Sequence, residues 1–136
     1  METATVFGDI NWLSVLAAAL SSFVVGGIWY GPLFGKAWMQ AFNISEEEMS
    51  KRNMPMVFGL AFFLTLIAAI NLEMFIGPDA SPAFGLFAGF AAGFGWVAAF
   101  LGILYLFEKQ SLGAFLINAG YCIVALSLMG VILGSW

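Results

Sequence analysis

The chain has 136 residues, of which 62% are hydrophobic and 9% charged, with a formal net charge of -4 and no histidine. Soluble domains carry roughly a quarter charged residues, so these side chains need lipid around them, and the length allows one domain at most. Four lysines and arginines are too few to track phosphates, which excludes nucleic acid as a partner; the missing histidine removes the commonest metal ligand, haem ligand and general base; and a single cysteine, Cys122, excludes an internal disulfide.

Residues 1–9 hold no Lys or Arg, and no small-residue cleavage site closes the apolar run behind them. That run is expected to stay in the protein as a span rather than to leave as a secretory leader. A hydrocarbon core of ~30 Å takes about 20 apolar residues in helical form. Four segments qualify: 10–32, 55–76, 83–107 and 112–135. They predict an all-α membrane protein, a single four-span domain packed as a bundle.

Span one carries Asn11, Ser14, Ala18, Ser21 or Ser22, Val25 and Trp29 on one small, polar face that should point inward. It is expected to end or kink at Tyr30–Gly31–Pro32, because Pro32 has no N–H for the carbonyl of Ile28. The connection 33–54 is more than a linker. Leu33, Phe34, Ala37, Trp38, Ala41 and Phe42 share a face opposite Lys36, Gln40 and Asn43, which predicts an amphipathic helix in the membrane interface. Ser45 and Glu48 form a capping box for a short soluble helix through about Arg52, and Asn53 then caps span two.

Span two should stop at Gly77, before Pro78. Glu73 lies one turn from that end, and two readings stand open: a structural acid that snorkels outward, or a cation or proton site with Asn11, Asn71 or Asp79. Span three starts with Ser81 as cap and Pro82 in the first turn. Gly85, Gly89 and Gly93 repeat every four residues and form a groove whose face Trp96 and Phe100 continue. Glu108, at the negative end of this helix, calls for a basic partner in Lys36 or Lys109. Span four starts at Ser111, turns Ala114, Asn118, Tyr121, Cys122 and Ala125 inward, and repeats the glycine spacing at Gly130 and Gly134. Such small-residue faces pack helices closely, within one chain or between subunits. A rise of ~1.5 Å per residue sets Ser21, Ser22, Trp96 and Tyr121 near one depth, where a hydrogen-bonded midplane cluster is expected.

Lys36, Lys51, Arg52 and Lys109 all fall in connections 33–54 and 108–111, which share one side of a four-span protein. The positive-inside rule places that side in the cytoplasm of a cell (inner) membrane and both termini outside, with Glu2, Asp9 and Asp79. So strong a bias implies one-way insertion, and any homo-oligomer would be parallel. No nucleophile–base pair, metal set or phosphate loop appears. The expectation is therefore a protein that is not an enzyme and needs no cofactor: a self-associating or accessory subunit packing through its glycine faces. The alternative is a small transporter or channel for a cation or small solute past Asn118, Tyr121 and Glu73. It lacks the deep acid in span one that small multidrug exporters carry.

Several strings occur together: Ile10–Asn11–Trp12–Leu13, Ile28–Trp29–Tyr30–Gly31–Pro32–Leu33–Phe34–Gly35–Lys36–Ala37–Trp38, Glu46–Glu47, Phe107–Glu108, Phe115–Leu116–Ile117–Asn118–Ala119–Gly120–Tyr121, Met129–Gly130 and Leu133–Gly134–Ser135–Trp136. In this order the chain resembles the bacterial integral-membrane family known as domain of unknown function 1761. The resemblance implies four spans and no established activity. It points to Asn11, Trp29, Tyr30, Gly31, Pro32, Trp38, Glu108, Asn118 and Tyr121 as residues of weight.

Overall fold

The structure, a computed structural model, describes Gly8 and residues 10–136. Glu2 and Asp9, which the sequence assigns to the outer side, lie outside the described residues. Four helices are long and apolar enough to cross a membrane: Trp12–Leu33, Met54–Ile76, Pro82–Phe107 and Leu112–Ser135. No strand occurs among the described residues.

Each span begins where a side chain satisfies the orphan N–H groups of a first turn. Asn11 Oδ1 accepts from the backbone N–H of Leu13 and Ser14, at 3.1 and 3.2 Å. Asn53, Ser81 and Ser111 do the same for spans two, three and four. The helix ends are equally local. Gly77, at φ 77, closes span two in a backbone region open mainly to glycine. Span three closes with Lys109 in the left-handed region at φ 58, its N–H on Leu106 and the N–H of Gln110 on the Tyr105 carbonyl, which is the paired-bond Schellman ending.

Span one leaves α-helical geometry where expected and ends at Leu33, one residue past Pro32. It widens over Trp29–Leu33 into a π turn, and the N–H of Phe34 reaches the Trp29 carbonyl at 2.8 Å. Bonding five residues back instead of four accommodates a proline that cannot donate. The chain then folds under the spans in a short helix, α1 (Gly35–Ala41). The expected apolar face of this segment packs ring against ring on the spans: Phe34 on Trp29, Trp38 on Tyr30 and Phe42 on Tyr105, with centroids 4.9, 5.9 and 6.2 Å apart. Helix α2 (Glu46–Ser50) follows, with the Ser45–Glu48 capping box in place.

Span four packs on span three along much of its length and on span one, and span two leans mainly on span one. The glycines explain how close the first pair comes. A Cβ on Gly85 would overlap the carbonyl of Gly130, and one on Gly130 the carbonyl of Gly85. A Cβ on Gly134 would strike the Ser81 carbonyl, one on Gly89 the Leu126 carbonyl, and one on Gly93 the backbone at Ile123. The glycine faces are therefore occupied within the chain, and contact with another subunit has to use other surfaces. At the end of the bundle where spans one and three begin and spans two and four finish, an apolar cluster of Ile10, Val15, Ala18, Ala69, Leu72, Ile76, Ala88, Met129 and Leu133 joins all four.

One expectation about span three fails. Trp96 and Phe100 do not continue the glycine face; they are 64% and 65% exposed, turned away from the other spans. The cause is a second π turn, Gly93–Ala98. It adds a residue to the turn, so the inward face passes from Gly93 to Ala98 and then to Gly102 and Tyr105. Ala98 is buried, and a Cβ on Gly102 would meet the ring of Phe115.

Candidate functional site

The largest group of interacting polar side chains lies between spans one, three and four, toward the end that carries the charged connections. The residues arrive there by helical spacing. Ser22, Trp29 and Tyr30 come from span one, Tyr105 from span three after its π turn, and Asn118 and Tyr121 from adjacent turns of span four.

Their bonds form two linked sets. The Tyr30 hydroxyl donates to Asn118 Oδ1 at 2.7 Å, and Asn118 Nδ2 donates to the Tyr105 hydroxyl at 2.7 Å. The Tyr121 hydroxyl lies 2.9 Å from Ser22 Oγ and donates to the Ser22 carbonyl at 3.2 Å, so Ser22 Oγ supplies the hydrogen between the two hydroxyls. The rings of Tyr30 and Tyr121 meet edge to face with centroids 5.3 Å apart and join the sets. Trp29 Nε1 donates to the Ile117 carbonyl at 2.8 Å, closing the seam between spans one and four.

Two glycines make room for this. A Cβ on Gly120 would lie 2.9 Å from the Trp29 ring, and one on Gly26 would lie 3.4 Å from Tyr121. Each span thus offers a glycine to the other's aromatic residue. Trp38 and Phe42 of the folded-under segment cover Tyr30 and Tyr105. The result is an amide held between two phenols under an aromatic roof. Hydrogen-bonded groups of this kind inside a membrane protein fix neighbouring helices in one rotation.

The expected midplane cluster is thus partly formed. Ser22 and Tyr121 meet as the depth argument requires. Ser21 does not join them; its hydroxyl returns to the Ala18 carbonyl at 2.6 Å. Trp96 points outward for the reason given above. Tyr105 was missed, because an unbroken α-helical count from Gly93 carries the inward face past it. Its signal in the sequence is slight: a tyrosine thirteen residues before Asn118, across the short turn at Glu108–Ser111.

Glu73 also departs from expectation. It does not snorkel; it turns inward, 5% exposed, and Ser14 Oγ lies 2.9 Å from its Oε2. The partners considered for it are engaged elsewhere. Asn11 Oδ1 caps span one, Asn71 Nδ2 bonds the Ile67 carbonyl on an exposed face, and Asp79 sits exposed in the turn after span two. Glu108 forms no ion pair with Lys36 or Lys109. Among the described residues the ion pair present is Lys51–Glu47, at 3.4 Å on the surface. Glu108 is exposed at the helix end, where the Schellman bonds satisfy the backbone and water solvates the carboxylate.

These features define a class: a helical, multi-pass membrane protein whose spans one, three and four are tied by buried phenol, amide and indole groups. The chain belongs to the family described as Protein of unknown function (DUF1761), whose profile matches residues 13–134, nearly its whole length. No curated protein and no solved structure matches it.

Proposed function

We propose that this chain is a non-enzymatic membrane subunit that associates with a second copy of itself or with another membrane protein. One observation carries the reading. Trp96 stands near the middle of span three and faces outward, 64% exposed, and its indole N–H makes no hydrogen bond to another described residue. Tryptophans facing lipid gather at the interfaces, where the N–H meets water. At mid-depth an unpaired N–H costs roughly 1–3 kcal/mol, and a protein acceptor at that depth removes the cost. Phe87, Phe90, Phe94 and Phe100 are exposed on the same span and extend this surface with apolar area.

The base count supports an orientation with both termini outside and the connections 33–54 and 108–111 in the cytoplasm, and the resemblance to a bacterial integral-membrane family supports the inner membrane of a bacterial cell as its location. One-way insertion makes any homo-oligomer parallel. Crosslinking in native membranes tests the reading. A discrete adduct is expected for the unaltered chain, reduced several-fold in Trp96→Phe; a chain that stays monomeric with no attached partner rejects it. Labelling of Lys51 or Lys109 from outside intact cells would reverse the orientation.

A second reading, transport of a cation or small solute, is favoured by the run of polar groups from Tyr105 through Asn118, Tyr30 and Tyr121 to Ser22, with Glu73 nearer the other end. Flux into proteoliposomes, with Asn118→Ala and Glu73→Gln as controls, decides it; flux equal to empty liposomes rejects it.

A further inference from the structure

Ser14 and Glu73 present a proton-accounting problem. Ser14 Oγ lies 2.8 Å from the carbonyl oxygen of Asn11 and 2.9 Å from Oε2 of Glu73. A serine hydroxyl has one hydrogen to donate, and a carbonyl has none. An ionised carboxylate leaves the one Ser14 hydrogen split between two acceptors. Both contacts are full, unshared hydrogen bonds at once only when the carboxyl group carries a proton of its own. Glu73 then donates to Ser14 Oγ, and Ser14 donates to Asn11.

The surroundings sharpen the point. Ser14 is fully buried and Glu73 nearly so. The apolar cluster around them brings Val15 and Ala18 from span one, Ala88 from span three, and Met129 and Leu133 from span four. None of these ionises. On span two itself the neighbouring turns give Ala69, Leu72 and Ile76. Asp79, in the turn beyond, is exposed. Lys36, Lys51, Arg52 and Lys109 belong to the connections at the opposite end of the spans. A carboxylate at Glu73 therefore has no basic partner among the described residues, in a setting where ions are normally paired or functional.

We infer that Glu73 and Ser14 form a proton-binding site, with Ser14 as the hydroxyl that reports the proton to the start of span one. In the protonated form the Asn11 carbonyl accepts from both Ser14 Oγ and the Val15 N–H, the latter at 3.1 Å. When the acid releases its proton to water, the Ser14 hydrogen swings from Asn11 to Oε2. The Asn11 carbonyl keeps only the Val15 bond. No covalent bond other than the carboxyl O–H changes. The site is independent of whether the protein assembles or transports.

Infrared difference spectra of the full chain in lipid nanodiscs, recorded on acidification, test this. The unaltered chain should gain a carboxylic C=O band that is lost in Glu73→Gln. In Ser14→Ala the band should persist at a shifted frequency, because its hydrogen-bond partner is gone. Glu73→Gln spectra identical to the unaltered chain overturn the site. A band unmoved by Ser14→Ala overturns the shared proton, and this second variant decides the matter even where Glu73→Gln fails to fold.

Discussion

The hydroxyl of Tyr30 donates to Oδ1 of Asn118 over 2.7 Å, although the two residues are 88 positions apart. Asn118 passes the connection on to Tyr105 through its amide nitrogen, so one side chain of span four binds spans one and three together. Membrane hydrogen bonds of this type contribute about 1 kcal/mol. Tyr30→Phe and Asn118→Ala should each destabilise the chain by about that much or somewhat more. In a double-mutant cycle measured by unfolding in mixed micelles, the two losses should be clearly non-additive. Full additivity would show that the bond contributes nothing.

The contact of spans three and four leaves no room for a methyl group. Gly85→Ala and Gly130→Ala force a Cβ into a carbonyl oxygen, and overpacking of this kind costs typically 1–3 kcal/mol. Gly95→Ala on span three and Gly59→Ala on span two face open space and should be neutral or slightly stabilising, by up to about 1 kcal/mol from helix propensity. Thermal unfolding in detergent separates the two groups. Equal tolerance at Gly85 and Gly95 would contradict the packing.

Gly120→Ala pushes on the ring of Trp29, whose indole bonds the Ile117 carbonyl. The expected result is a shifted Trp29 emission, read in a chain where the other tryptophans are replaced by phenylalanine. Emission identical to the parent would mean that the ring does not lie over position 120.

Lys109 occupies the left-handed position that ends span three, at a cost of roughly 1–2 kcal/mol for a residue with a Cβ. Lys109→Gly should stabilise the chain by about 1 kcal/mol or less, since glycine also gains freedom in the unfolded state. A loss of stability would indicate that the lysine side chain makes a compensating contact.

The π turn at Gly93–Ala98 sets which face of the rest of span three meets span four. Deleting Gly95 restores α-helical register and rotates the following residues by about 100°. Tyr105 then leaves Asn118, and the deletion should destabilise at least as much as Asn118→Ala. A deletion variant as stable as the parent would show that the widened turn is dispensable.

The amino-acid sequence by itself determined the features that arise within about one helical turn or from bulk composition. Long apolar runs need a hydrocarbon solvent, and that sets four spans. Asn53, Ser81 and Ser111 cap because a short polar side chain reaches an N–H three residues on, whereas Asn11, expected on the inward face, caps span one instead. The inward placing of Ser22, Asn118 and Tyr121 followed from spacing along unbroken α-helix. The tertiary structure alone decided what depends on rotation between helices. The π turn at Gly93–Ala98 has no proline to announce it; it goes with the packing of Gly93 on Ile123 and of Gly102 on Phe115, and Trp96 and Tyr105 exchange faces as a result. Glu73 likewise turns to Ser14 rather than to water because span two meets span one along Ala69, Leu72 and Ile76. That contact is made by residues more than fifty positions apart, which no local periodicity encodes.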